Sequence, residues 1–172
     1  MTKPQKPPAQ AGARETASDI RLFLDNIRSV HNVGSIFRTA ETLGISRIYC
    51  SQTTPTPLDR FGRPRIDLAK VALGAEKVLP WEHIEDDLEL IEELKKQGFT
   101  VVALEQAPNS IDYKKVSLPR KALIILGQEV SGVSPKLIEA TDIIAEIPLR
   151  GQKESLNVSV ATGIFLYRLL DR

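Results

Sequence analysis

The stretch from Ile147 to Leu169, IPLRGQKESLNVSVATGIFLYRL, most constrains how this chain can fold. A short apolar segment, Ile143 to Ile147, stops at Pro148, which has no N–H to continue a ladder. A polar loop, Arg150 to Glu154, follows. Ser155 then stands where an N-cap is expected, and a helix is predicted from there to the chain end. At 100° per residue, Leu156, Val158, Val160, Ala161, Ile164, Phe165, Leu166, Leu169 and Leu170 reach almost every side of it. Such a helix must be covered all round. One face is expected on the chain's own core and the other on a second subunit. Ser155 and Asn157 place a hydroxyl and an amide beside free backbone N–H groups at the helix's positive end.

Upstream, strand and helix patterns alternate. Leu22-Phe23-Leu24 reads as a strand, Asn32 to Leu43 as an amphipathic helix and Arg47 to Cys50 as a second strand. Val33, Ile36, Phe37, Ala40 and Leu43 form the helix's apolar stripe. Arg38 lies opposite it, one turn after Gly34, which is expected to leave open space beneath. Lys77 to Leu79 reads as a short strand, and Glu82 to Gln97 as a helix with an acidic face turned away from any RNA. Phe99 to Leu104 and Ala122 to Leu126 are buried strands. A two-turn helix is expected from Ser134, with Pro135 at its first position. This rhythm predicts an α/β fold, a mostly parallel sheet with helices on both faces. Ligands in such sheets gather beyond the carboxyl ends of strands. Two Gly-containing polar loops leave strands there, Gly127 to Gly132 and Arg150 to Asn157. Neither is a dinucleotide or P-loop motif.

Residues 51–70, SQTTPTPLDRFGRPRIDLAK, read as a loop carrying Arg60, Arg63, Arg65 and Lys70 around Phe61 and Gly62. Arginines suit phosphates and a Phe ring suits a base, so these four cations are candidate RNA contacts. Net charge is only +1, so any nucleic-acid contact must come from such local patches. Residues 1–18, rich in Pro, Ala and charge, are expected to be a disordered tail, with residues 19–172 as the single folded domain. One cysteine, Cys50, excludes an internal disulfide. His31 and His83 are far apart with no Cys cluster, so no metal is expected. No apolar run reaches membrane-spanning length and the N-terminus shows no signal-peptide core; a cytoplasmic protein without membrane partners is expected.

Asn32-Val-Gly-Ser-Ile-Phe-Arg38, Leu126-Gly-Gln-Glu-Val-Ser-Gly132, and Ile147-Pro148 with Ser155-Leu-Asn-Val-Ser-Val-Ala161 occur in this order. Together they resemble the three motifs of the SpoU/TrmH family of RNA ribose 2′-O-methyltransferases, in the SPOUT superfamily. The resemblance covers about residues 20–170 and implies a C-terminal trefoil knot whose loops hold S-adenosylmethionine. It also implies a homodimer whose active sites are completed across the interface. By motif, Asn32, Arg38, Glu129, Ser155 and Asn157 are implied on the catalytic side. Leu104, Gly127, Ile147 and Leu156 are implied as the cofactor's contacts. The chain looks like a minimal member, which favours tRNA over rRNA as substrate. A guanidinium carries donors only. Arg38 is therefore read as clamping a phosphate and polarising the 2′-hydroxyl, the proton leaving to phosphate or water. His31 is read as structural. The alternative is a non-catalytic RNA-binding protein on the same fold, which would not need these residues together.

Overall fold

In chain order most segments alternate between extended and helical backbone, in line with the apolar periodicities. The computed structural model describes residues 18–117 and 119–170. The expected tail, with Lys3, Lys6 and Arg14, lies outside the described residues apart from Ser18. The strands are β1 (Asp19–Asp25), β2 (Arg47–Cys50), β3 (Trp81–His83), β4 (Thr100–Leu104), β5 (Ile111–Asp112), β6 (Lys121–Gly127) and β7 (Ile143–Glu146). The helices are α1 (Val30–Thr42), α2 (Ile66–Ala72), α3 (Ala75–Val78), α4 (Asp87–Lys96), α5 (Pro135–Ala140) and α6 (Val158–Leu170).

The strands form one sheet in the order β3-β2-β1-β6-β4-β7-β5, and every pairing is parallel. Helices cover both faces, because successive side chains along each strand point to opposite sides. On one side Leu22, Leu24, Ile48, Ile124 and Leu126 pack with Val33, Ile36 and Phe37 of α1 and with Phe165, Leu166 and Leu169 of α6. On the other, Phe23, Tyr49, Leu123 and Ile125 pack with Ile91 and Leu94 of α4 and Leu137 of α5. Each fully buried Phe or Leu contributes about 1.5–3 kcal/mol of transfer free energy. The acidic helix α4 therefore sits on the opposite side of the sheet from α1 and α6.

Several local expectations gave way to tertiary pairing. Residues 77–79 are not a strand: Ala75–Val78 is a helical turn, closed by Leu79 N–H donating to Ala75 O at 2.9 Å. The strand is β3, because Trp81, Glu82 and His83 pair with Ile48, Tyr49 and Cys50 at the exposed flank of β2. That pairing delays α4 to Asp87, where Asp86 caps by accepting from Leu88 and Glu89 N–H, each at 3.1 Å. The loop after β2 ends at Arg65, and Lys70 belongs to α2. Nor is the space at Gly34 open. A Cβ there would lie 2.8 Å from Val71 Cβ and 3.0 Å from the Leu68 carbonyl oxygen, because α2 crosses α1 at that glycine.

Candidate active site

The carboxyl ends of β6, β4 and β7 lie side by side, and their register gathers the implied cofactor contacts. Leu104 pairs with Leu126 and with Ala145. Gly127 is therefore one residue, and Ile147 two residues, beyond that row. Gly127 is buried, whereas Leu104, Ile147 and Leu156 are half-buried. A Cβ on Gly127 would come within 2.3 Å of the Gly132 and Val133 backbone, so the loop can close on itself only over glycine. Among the described residues, the backbone of residues 148–156 makes one hydrogen bond, from Gln106 Nε2 to the Glu154 carbonyl at 3.2 Å. Uncommitted amide and carbonyl groups beside half-buried aliphatic side chains suit an adenosine-like cofactor, whose base needs polar edges and apolar faces.

Two acids absent from the expected set hold the loops at these strand ends. Glu105 accepts from Val133 N–H at 2.7 Å and Gln106 N–H at 2.8 Å. Asp25, buried at the end of β1, accepts from Ser134 N–H at 2.7 Å and from Asn26 Nδ2 at 2.7 Å. Together they tie the loop after β6 to its neighbours. The available sequence signal was an acid directly after an apolar strand, at Leu24-Asp25 and Leu104-Glu105.

Three of the expected catalytic residues meet. Ser29 caps α1 by accepting from Asn32 N–H at 3.2 Å, which places Asn32 in the first turn, 7% exposed. Asn32 Nδ2 donates to Glu129 Oε1, and Asn157 Nδ2 donates to Asn32 Oδ1 at 3.1 Å. One amide thus joins segments that lie 97 and 125 residues away in the chain. Asn157 also starts α6, its Oδ1 accepting from Ser159 N–H at 2.9 Å and Ser159 Oγ at 2.7 Å. The expected cap at Ser155 is thereby corrected. Ser155 is exposed, two residues before Asn157, and makes no hydrogen bond among the described residues.

Arg38 is exposed, as its place on the helical wheel required. It does not join the amide cluster. Six residues beyond Asn32, it lies about 9 Å along α1 and roughly 120° round it. It lines a groove of about 530 Å³ with His31, Ser35, Thr39, Lys70 and Tyr167. No carboxylate lines that groove, and neither Arg38 nor Lys70 forms an ion pair among the described residues. The four expected RNA contacts consequently divide. Lys70 stands beside Arg38. Arg65 is half-buried, 3.8 Å from Asp67. Arg60 and Arg63 remain at the loop tip, where Asp59 accepts from the N–H groups of Phe61 and Arg63. Those bonds, the Arg63 backbone N–H first among them, hold the Asp59 carboxyl below the usual carboxylate range.

A parallel sheet covered on both faces is an architecture the chain shares with solved RNA methyltransferases. The chain superposes on the tRNA-modifying TrmH/SpoU enzyme of Aquifex aeolicus with a TM-score of 0.78 at 30% identity, covering 90% of this chain and 75% of that one. For the AdoMet-bound rRNA methyltransferase of Sinorhizobium meliloti the TM-score is 0.80 at 26% identity, covering 90% and 56%. Residues 19–167 match the SpoU rRNA Methylase family, and the chain belongs to that family. It is 31% identical over 149 residues to the tRNA (guanosine(18)-2′-O)-methyltransferase of Aquifex aeolicus, covering 87% of this chain and 67% of the relative. It is 33% identical over 156 residues to a 23S rRNA (guanosine-2′-O-)-methyltransferase of Coxiella burnetii, covering 91% and 59%. The chain therefore spans about three fifths to two thirds of the length of these relatives.

Proposed function

We infer that this chain methylates a ribose 2′-oxygen in structured RNA, tRNA in preference to rRNA, with S-adenosylmethionine as methyl donor. The observation that carries the reading is the Glu129–Asn32–Asn157 chain of hydrogen bonds, which locks all three family motifs at one edge of the sheet. A protein that only bound RNA would have no need of that arrangement. Bound at these strand ends, S-adenosylmethionine would supply a methyl carbon made electrophilic by its positively charged sulfur. Leu104, Ile147 and Leu156 would flank its base, and the backbone of Gly127 and of residues 148–156 would meet its polar edges.

Arg38 and Lys70 offer donors and no acceptor, so they hold a phosphate next to the target ribose and stabilise developing charge on the 2′-oxygen. Alignment of that oxygen with the methyl group accounts for up to about 7–11 kcal/mol of the barrier. The proton leaves to the phosphate or to water.

The separation of Arg38 from the Asn32 cluster supports a homodimer. Val160, Ile164 and Tyr167 leave an apolar face of α6 exposed, by 51%, 38% and 53%. Tyr167 also walls the Arg38 groove. A second copy on this face would bring one subunit's groove to the other's cofactor loops. The same reading carries with it a trefoil knot in the C-terminal part. The contacts in its favour run from Gln106 to Glu154 and from Arg168 to the Lys114 carbonyl at 3.1 Å.

The test is transfer of radiolabelled methyl from S-adenosylmethionine to purified tRNA and rRNA, with nucleoside analysis of the product and light scattering of the protein. A 2′-O-methyl nucleoside, mainly from tRNA, and a dimer are expected. Label on a base, or no label in either RNA, overturns the activity; more label in rRNA overturns the preference. A monomer at tens of micromolar overturns the shared site.

A further inference from the structure

The tip of the loop between β2 and α2 is built differently from the Arg38 groove. Phe61 stands at the loop tip and is 65% exposed. Two guanidiniums lie against its ring, Arg60 at 4.8 Å and Arg63 at 4.9 Å from the centroid. Only one of them is neutralised. Arg63 pairs with Asp59 at 2.9 Å, and Asp59 pins the turn from inside through the Phe61 and Arg63 N–H groups. Leu58 bridges Pro64, and Arg65 N–H donates to the Pro57 carbonyl at 2.9 Å, so the tip is held at its base. Arg60 has no carboxylate partner among the described residues, which leaves the tip net positive around an exposed aromatic face.

The tip also rises from the correct side of the sheet. The loop leaves the carboxyl end of β2, and its root is fastened to the carboxyl end of β1. Ser51 N–H donates to the Leu24 carbonyl at 3.1 Å, and Thr54 Oγ1 to the same oxygen at 2.9 Å. β1 lies next to β6, whose carboxyl end carries Gly127.

We propose that Phe61 is a stacking platform for one unpaired nucleobase of the RNA substrate, with Arg60 as its mobile cationic cover and Arg63 as its fixed one. A π-face flanked by cations suits a nucleobase on a polyanionic strand. A base inside a duplex offers no free face, so the platform selects RNA with an unpaired loop or bulge. Arg60, bound by no acid, swings from the ring to a phosphate as the base arrives. This inference rests on the RNA-methyltransferase reading for its substrate class.

The experiment measures fluorescence anisotropy with two labelled RNAs of equal length, a hairpin with an unpaired loop and a blunt duplex. Wild type is expected to prefer the hairpin by about tenfold, the low end of base–aromatic stacking. Phe61→Leu keeps the bulk and removes the π-face. It should lose that preference while duplex affinity and the melting temperature stay unchanged, and Phe61→Trp should retain it. Arg60→Gln should weaken the hairpin more than the duplex and lower the hairpin's salt slope by about one; an equal loss on both RNAs overturns the role given to Arg60. A hairpin preference that survives Phe61→Leu, or one absent from wild type, overturns the platform. Methyl transfer to RNA by the same preparations is scored separately. Activity without a Phe61-dependent preference refutes the platform alone, and the preference without activity refutes the enzyme reading alone.

Discussion

Replacing Asn32 by Asp tests the amide that joins the three motifs. The change keeps the shape and keeps the oxygen that accepts from Asn157 at 3.1 Å. It turns the donor facing Glu129 into a second acceptor. Two ionised carboxylates about 4 Å apart would repel by roughly 4 kcal/mol at an effective dielectric of 20. Glu129 is exposed, however, and can swing into water, so the cost reduces to the lost charged hydrogen bond, about 1.5–3 kcal/mol. An acid in the first turn of α1 returns about 0.3–1 kcal/mol through the helix dipole. The expected net loss is therefore about 1–2 kcal/mol, read as a fall in melting temperature of roughly 2–8 °C for a domain of this size. The decisive arm is the double variant N32D/E129Q, in which donor and acceptor trade places and the bond reforms. Calorimetric melting should show it more stable than N32D by at least about 1 kcal/mol, a coupling expected only of residues in contact. If the double variant is no more stable than N32D, the reasoning fails.

Arg38→Ala should leave stability within about 0.5 kcal/mol of wild type, since the side chain is exposed, yet lower methyl transfer a hundredfold, about 2.7 kcal/mol. Arg38→Lys should rescue little, because one ammonium cannot reproduce the two-pronged donor; wild-type turnover in either variant would refute the clamp. Gly34→Ala should cost about 1–3 kcal/mol in denaturant melts by forcing α2 off α1, and an unchanged midpoint would contradict the 2.8 Å approach to Val71 Cβ. Burial pushes the Cys50 thiol up to about 12, so at pH 8 it is a neutral, inaccessible thiol. A disulfide reagent should label it only as fast as the protein unfolds, and prompt labelling of the native protein would count against the burial of β2 between β1 and β3.

What the sequence alone determined was set by short-range rules. Apolar periodicity placed α1 on Val33, Ile36, Phe37 and Ala40 and put Arg38 outside, because helical geometry depends only on neighbours within two turns. The apolar run of β6 and Pro135 at the start of α5 were legible for the same reason. The three motifs named candidate members of the site without showing which of them touch.

Contacts distant in the chain were decided only by the tertiary structure. Residues 81–83 became a strand because β2 offered an open edge, and that pairing overrode an acidic helical pattern. Ser155 and Asn157 are equally good caps in sequence. Asn157 took the role because its amide group can serve α6 with its oxygen and Asn32 with its nitrogen, which a hydroxyl cannot do at that reach. Gly34 proved to be the crossing point of α1 and α2, where sequence suggested only open space. Lys70 moved from the basic loop to Arg38 because α2 begins at Ile66 and lies across α1. Asp25 and Glu105 carried no motif, since the groups by which they hold the loop after β6 are backbone N–H groups, which every residue but proline supplies alike. Such positions take their meaning from register, and register is a property of the assembled sheet.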